Sequence, residues 1–258
     1  MLTIYGVPNS QPVRTVLWAC MLHQLPFELR LTSQNRDAKQ AEYLDTVNPR
    51  GTIPAIDDDG FRLWESHAIV IYLAEKYGWT DYWPDDLKQR AWVNQYLHFH
   101  HRNTREVVVA WSRALWPQVF GVSDPSSEWI RQNTFAGLEN NEVVVEQTLA
   151  IIDRWLHGQP YLVGETPTLA DLSAYQELGQ NQRRYADCTD FSPYCAIRAW
   201  LERMGALPYH DDVHAIWGLI GKASEVERGM STIAAANKAA ARQIQEAVAK
   251  YTATEPTG

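Results

Sequence analysis

The chain has 258 residues, 45% of them hydrophobic, and a formal net charge of -8. That acidic balance excludes the basic footprint of a general nucleic-acid binder, and no apolar run approaches the ~20 residues of a membrane span. Met1-Leu2-Thr3-Ile4-Tyr5 has no basic region followed by an apolar stretch, so no secretory leader is expected, and three cysteines (Cys20, Cys188 and Cys195) that cannot all pair fit a reducing, cytoplasmic setting.

Residues 2–6 (Leu-Thr-Ile-Tyr-Gly) alternate and are β-prone, which predicts a first strand. The loop Val7-Pro8-Asn9-Ser10-Gln11 follows, and Pro12 suits the first position of a helix, where its missing N–H costs nothing. Val13, Val16, Leu17 and Cys20 recur at helical spacing. Residues 27–31 alternate again as a second strand, and 33–43 are polar with an irregular loop-helix character. Ile53-Pro54-Ala55-Ile56 reads as a third strand, Asp57-Asp58-Asp59-Gly60 as a turn, and Phe61-Arg62-Leu63 as a fourth strand. Ser66 precedes a helical run through Ile69, Tyr72, Leu73 and Tyr77. The order β-α-β-α-β-β-α describes a mixed sheet with helices on its faces.

Residues 79–87 read as a linker, and the texture then becomes helical throughout. Leu87 to Leu115 contains neither Gly nor Pro and predicts one long helix, ended by Pro117. Further helices are expected over about 129–157, 168–185 and 193–207. The Ala-rich stretch 224–251 is either a C-terminal helix on the body or a frayed tail, with 252–258 disordered. The fold class is α/β plus all-α, divided as 1–78, a linker at 79–87, an all-α domain at 88–222 and a terminal helix with tail at 223–258. Eleven Trp and twelve Tyr imply a tightly packed interior or a flat apolar cavity.

Three places in the first domain can carry chemistry. Ser10 sits between a strand and the start of a helix, where unpaired N–H groups favour an anion. A thiolate there has its pKa lowered, and a hydroxyl can donate to it; the competing reading makes Ser10 a plain cap or turn residue. Pro54 enters a strand; a cis bond to Ile53 would leave the Ile53 backbone able to pair with an extended peptide, whereas a trans bond makes it an ordinary strand start. Glu65-Ser66-His67 precedes a helix, so a ligand carboxylate can dock at Ser66 and an ammonium at Glu65, or Ser66 is simply an N-cap. Thr168-Leu169-Ala170-Asp171 is a capping-box pattern with a structural role.

In order and spacing, these segments resemble the cytosolic glutathione transferases over about residues 2–220. That resemblance implies an N-terminal thioredoxin-like, glutathione-binding domain and a C-terminal helical-bundle domain carrying the electrophile site. Ser10-Gln11-Pro12-Val13-Arg14, Pro26-Phe27-Glu28-Leu29-Arg30, Val47-Asn48-Pro49, Ile53-Pro54-Ala55, Trp64-Glu65-Ser66-His67 and Asp81-Tyr82-Trp83-Pro84 look theta-like, the class that uses a serine. By that resemblance Ser10 hydrogen-bonds the glutathione sulfur with Arg105 near the thiol, and Gln11 belongs to the glutathione site. Ile53 beside cis-Pro54 pairs with the cysteinyl backbone, Glu65 and Ser66 hold the γ-glutamyl end, and Lys39 and Gln40 lie at the glycyl end. His101, Trp111, Leu115, Trp116 and Trp217 are expected around a small hydrophobic electrophile such as an alkyl halide or epoxide. Glutathione is then a co-substrate, no metal is called for, and a detoxifying homodimer is implied.

The sequence also departs from that pattern. Arg50-Gly51-Thr52 stands where theta members often carry two lysines. His98, His100 and His101 form an unusual run in which His98 and His101, at i and i+3, could pair on a metal, but no third ligand is in view. Tyr5 is a rival activating hydroxyl, but it lies inside a strand. A dehalogenase or peroxidase side activity stays open, as does a non-catalytic glutathione- or ligand-binding protein of the same fold. A serine at position 10 disfavours thiol reduction.

Overall fold

A computed structural model describes residues 1–107, 141–222 and 230–254. The alternating N-terminal segments build a four-stranded sheet in the order β2-β1-β3-β4. Strand β1 (Leu2–Gly6) runs parallel to β2 (Phe27–Leu31) and antiparallel to β3 (Ala55–Asp58). Strand β3 runs antiparallel to β4 (Phe61–Trp64). Ile4 and Ile56 face each other across the β1–β3 ladder, and both are fully buried. Helix α1 (Gln11–Leu22) buries Val13, Val16, Leu17, Trp18, Cys20 and Met21, the apolar positions of its period. After a 3-10 turn at Asp37–Lys39 come α2 (Ala41–Thr46) and, beyond β4, α3 (Ser66–Tyr77). Gly78 closes α3 in the left-handed conformation at φ 67°, a geometry that glycine adopts without steric cost.

The third strand starts at Ala55, two residues later than expected. Pro54 has no N–H to give the ladder, so Ile53 and Pro54 stand before it, and their peptide bond is cis. The expected linker is no loose connection. Trp79, Tyr82 and Trp83 are buried, His23 stacks on Trp79 with ring centres 4.1 Å apart, and Trp83 Nε1 donates to Glu75 Oε1 at 2.6 Å.

The chain divides into two compact units. The first holds Met1–Trp83, Leu207–Leu219 and Ala234–Gly258; the second holds Pro84–Ala206 and Ile220–Ile233. This partition departs from the sequential one read above, because the C-terminal segments return to the sheet. In the second unit α4 (Leu87–His100) is capped by Asp86, whose side chain accepts the Gln89 N–H at 2.9 Å. The expected unbroken helix turns at residues 101–103 before becoming helical again at 104–107. No Gly or Pro causes the turn. Asn103 Nδ2 donates to the Phe99 carbonyl at 2.8 Å, in the place of the backbone bond that an uninterrupted helix would make there.

Helices α5 (Asn141–Trp155), α6 (Leu169–Leu178, continued as a 3-10 turn Gly179–Asn181) and α7 (Cys195–Gly205) complete the described part of this unit. Asp171 is fully buried at the start of α6 and accepts four hydrogen bonds, from Leu162 N, Thr168 N, Thr168 Oγ1 and Trp200 Nε1.

Helices α8 (His210–Ile220) and α9 (Met230–Thr254) belong largely to the first unit. Trp18 Nε1 donates to the Pro208 carbonyl at 2.9 Å. From Met230 the Ala-rich segment is a packed helix rather than a frayed tail, and it runs through residues 252–254, which were expected to be disordered; 224–229 and 255–258 lie outside the described residues. Ala236, Ala240, Ala241, Ile244, Ala247, Val248 and Tyr251 are buried, so the alanines form a thin face that lets two backbones approach closely. Gln245 offers its amide to β2, an edge strand: Oε1 accepts from Leu29 N at 3.2 Å and Nε2 donates to Phe27 O at 3.3 Å. Tyr251 OH donates to Leu25 O at 3.0 Å. Among the described residues, no helix is long and apolar enough to cross a membrane.

Candidate active site

The sheet register brings the candidate residues of the first unit to one place. Tyr5 pairs with Ala55 and Ala55 with Trp64, while Gly6 pairs with Leu31. The carboxyl ends of β1, β2 and β4 and the amino end of β3 therefore share one end of the sheet. From that end leave Val7–Ser10, the segment carrying Lys39 and Gln40, the Ile53–Pro54 step, and Glu65–Ser66. Helices α1 and α3, each of 12 residues, begin there as well, so their amino ends direct unpaired N–H groups and partial positive charge to the same end.

Ser10 is the N-cap residue of α1, with extended backbone at φ -79° and ψ 122°, and its side chain makes no capping hydrogen bond. Its main chain is engaged on both sides: Ser10 N donates to Val7 O at 3.0 Å, and Ser10 O accepts from Arg14 N at 3.0 Å. The hydroxyl itself makes no hydrogen bond among the described residues. Ser10 is thus a cap and turn residue by its backbone, while its side chain does no capping. Gln11 follows, half-buried, as the first residue of the helix. The rival hydroxyl of Tyr5 lies on a buried ring in β1 and accepts from Arg30 Nη1 at 3.3 Å.

Ile53 and Pro54 are buried, and the ladder starts only after them. The loop before them is fixed by side chains. Fully buried Asn48 donates from Nδ2 to Thr52 O at 2.9 Å, and Tyr43 OH donates to the same carbonyl at 2.8 Å. Glu65 occupies a left-handed backbone, φ 72° and ψ 111°, at the N-cap of α3. A non-glycine residue held there costs about 1–3 kcal/mol, a strain that clusters at ligand-binding positions. Ser66 is the first helical residue rather than the cap, so its expected capping role is corrected. It is 9% exposed, and no hydrogen bond of its hydroxyl is formed among the described residues.

Lys39 is half-buried, and its ammonium donates to the Gly51 carbonyl. Burial, and then the neighbouring charge of Arg50, pull its pKa down. Gly51 makes that approach possible, because a Cβ at its φ of +65° would stand 2.9 Å from the Ala38 carbonyl oxygen. Gln40 is exposed and donates to Arg36 O at 3.1 Å.

Arg105 belongs to the second unit, where its Nη1 meets Glu177 Oε1 at 2.7 Å. Glu177 is 1% exposed and also faces His100 Nε2 at 3.5 Å. Burial alone would raise the Glu177 carboxyl; the charges of Arg105 and His100 prevail and hold it below the ordinary glutamate range. His98 and His101 are exposed, whereas His100 is buried against Tyr96 OH and Ser173 Oγ. The three histidines thus do not form one group, and among the described residues no cluster of three or more metal-binding side chains occurs. Trp217 is a buried residue of α8 in the first unit, its ring centre 5.1 Å from the Arg14 guanidinium. Trp111, Leu115 and Trp116 lie outside the described residues.

Two residues beside Ser10 carried no role in the sequence reading. Arg14 is fully buried, and its Nη1 donates to Pro8 O at 2.8 Å. A cation among the apolar positions of α1 was the available signal. Asn237, on α9, accepts the Asn9 N–H at 2.8 Å; nothing in an Ala-rich helix marks which of its polar residues faces inward.

Residues 4–81 match the family described as glutathione S-transferase, N-terminal domain, and residues 122–208 that described as glutathione S-transferase, C-terminal domain. Glutathione S-transferase theta-2 of Rattus norvegicus is 33% identical over 223 residues, covering 84% of this chain and 87% of the relative. Glutathione S-transferase T2 of Arabidopsis thaliana is 30% identical over 243 residues, and the chain spans 90% of itself but 39% of that protein's length. Human glutathione S-transferase T1-1, in its apo form, matches with a TM-score of 0.71 at 26% identity, over 95% of this chain and 100% of that one.

Proposed function

The chain belongs to the glutathione S-transferase family, and on that premise we propose that it joins the sulfur of glutathione to small electrophiles, with Ser10 as the hydroxyl that activates the thiol. The observation that carries this reading is the Ser10 hydroxyl, uncommitted at the amino end of α1 although its residue is the N-cap. A hydroxyl in that place donates to an anionic sulfur, and the helix end adds partial positive charge. Both favour the thiolate over the thiol, whose free pKa is about 8.5. The thiol proton leaves to solvent, the sulfur lone pair forms the new C–S bond, and the leaving group or the opened epoxide oxygen takes the displaced electron pair.

The remaining roles follow the convergence at the sheet end. Ile53, ahead of cis-Pro54, pairs with the cysteinyl backbone of glutathione; Glu65 and Ser66 receive the γ-glutamyl ammonium and carboxylate; Lys39, Gln40 and Gln11 complete the tripeptide site. Arg105, held by Glu177 within the second unit, is assigned to the thiol chemistry, and His101, Trp111, Leu115, Trp116 and Trp217 are assigned to the electrophile. No metal takes part. The protein acts as a cytoplasmic, detoxifying homodimer. Three cysteines outside any disulfide, Cys20, Cys188 and Cys195, support the compartment, and exposed Phe61, Trp64 and Tyr77 support the association.

Thiolate absorbance of bound glutathione, titrated with pH, tests the reading. A hydrogen bond to a charged group is worth about 1.5–3 kcal/mol, so Ser10→Ala raises the bound thiol pKa by about one to two units. Turnover of alkyl halides and epoxides at neutral pH falls with the thiolate fraction. An unshifted thiol in wild type, or equal values in the two proteins, refutes the proposal.

A further inference from the structure

The turn that carries Ser10 is tied down through three main-chain groups. Ser10 N–H closes it onto Val7 O at 3.0 Å. Arg14 Nη1 holds Pro8 O at 2.8 Å from below. The third tie comes from the far end of the chain: Asn237 Oδ1, on α9, accepts the Asn9 N–H at 2.8 Å across 228 residues of sequence. Asn237 is 7% exposed, so this bond is largely shielded from water. The peptide that Asn237 grips is one residue from the hydroxyl that no described group holds. Rotation of that peptide re-aims the Ser10 Cα–Cβ bond, and a small misplacement of a reacting group is costly in rate.

We propose that Asn237 is a positioning residue for the thiol chemistry. It holds the N–H end of the Pro8–Asn9 peptide, whose carbonyl end Arg14 holds, and so helps set the direction of the Ser10 hydroxyl while touching neither glutathione nor the electrophile. This rests on the reading of Ser10 given above. It assigns part of the thiol activation to a side chain of the C-terminal helix. Other hydrogen bonds of α9 dock it away from the turn: Gln245 meets β2, and Tyr251 meets Leu25 O. Helix docking and hydroxyl aiming are therefore separable by mutation.

The test is a set of four proteins: Asn237→Ala, Ser10→Ala, the double variant, and Tyr251→Phe. Each is titrated for the thiol pKa of bound glutathione and assayed for kcat and for KM toward glutathione. Asn237→Ala is expected to raise the thiol pKa by about half a unit to one unit, since it weakens but does not delete a charged hydrogen bond worth about one to two units. Below the bound thiol pKa, kcat drops about three- to tenfold as the thiolate fraction falls, and less above it, while KM for glutathione stays within about twofold, because no ligand contact is removed. On the Ser10→Ala background the same substitution changes nothing further, as expected if the two residues act as one unit. Tyr251→Phe lowers the melting temperature and leaves the thiol pKa at its wild-type value. Should alanine prevent folding, Asn237→Gln keeps an amide but displaces its oxygen by one methylene, and carries the same expectation. A wild-type thiol pKa in both Asn237 variants, with the Ser10→Ala shift intact, overturns the assignment of Asn237 alone. Absence of the Ser10→Ala shift overturns the reading beneath it.

Discussion

Replacing Asp171 by asparagine separates the two oxygens of a buried carboxylate by what each one holds. Oδ1 accepts from Leu162 N at 2.8 Å and Trp200 Nε1 at 2.9 Å, and Oδ2 accepts from Thr168 N and Thr168 Oγ1, both at 2.9 Å. Asparagine retains one oxygen. If that oxygen stays with Leu162 and Trp200, the new NH2 faces Thr168. The threonine hydroxyl can rotate to accept, but the Thr168 N–H then confronts a donor. A lost charge-assisted bond costs about 1.5–3 kcal/mol and a stranded buried donor about 1–3 kcal/mol. Burial pushes the Asp171 carboxyl pKa up, and relief of that cost offsets part of the loss. The net expectation is about 3 kcal/mol. Asp171→Ala strands several donors at once and costs about 5 kcal/mol or more, comparable with the whole stability of a marginal domain. Urea denaturation reads both values as a fall in midpoint at unchanged slope. Trp200→Phe removes one donor from the same network, so its combination with Asp171→Ala must be non-additive by about 1 kcal/mol. An Asp171→Asn protein within about 0.5 kcal/mol of wild type, the usual range for an inert surface change, would refute this account of the helix start.

Two further expectations concern charge and backbone. The folded pKa of Glu177 lies below its unfolded value, so its contribution is full above the ordinary glutamate range and is lost as pH falls through the folded value. Glu177→Gln should therefore lower stability at neutral pH and flatten the acid limb of the curve; an acid limb identical to wild type rules this out. Gly51→Ala places a Cβ 2.9 Å from a backbone oxygen at φ +65°. It should cost about 1–2 kcal/mol, and by displacing the Lys39 contact it should raise KM for glutathione more than it lowers kcat; a change confined to kcat would contradict the assignment of Lys39.

The sheet and its helices were legible because each element carries its own period: Leu2, Ile4, Phe27 and Leu29 alternate, while Val13, Val16 and Leu17 recur at helical spacing. The candidate site was legible because glycine, proline and cap-type residues mark the ends of those elements. Three things were hidden. The turn after α4 depends on one asparagine reaching back to a carbonyl, a choice that composition does not reveal. The late start of β3 depends on which Pro54 neighbour joins the ladder. The return of α8 and α9 to the first unit is a matter of long-range packing. Alanines show a period but do not name the surface they meet, so Asn237 and Gln245 could not be assigned partners in advance.

The amide of Gln245 on β2 has a consequence for how the chain is made. Strand β2 emerges from the ribosome early, and α9 follows roughly 200 residues later, about 10–40 s at ~5–20 residues per second. Throughout that interval the outer backbone groups of β2 await their final cover, and an exposed strand edge is a template for pairing with another chain. The nascent protein is thus open to misassociation at the place that α9 will seal.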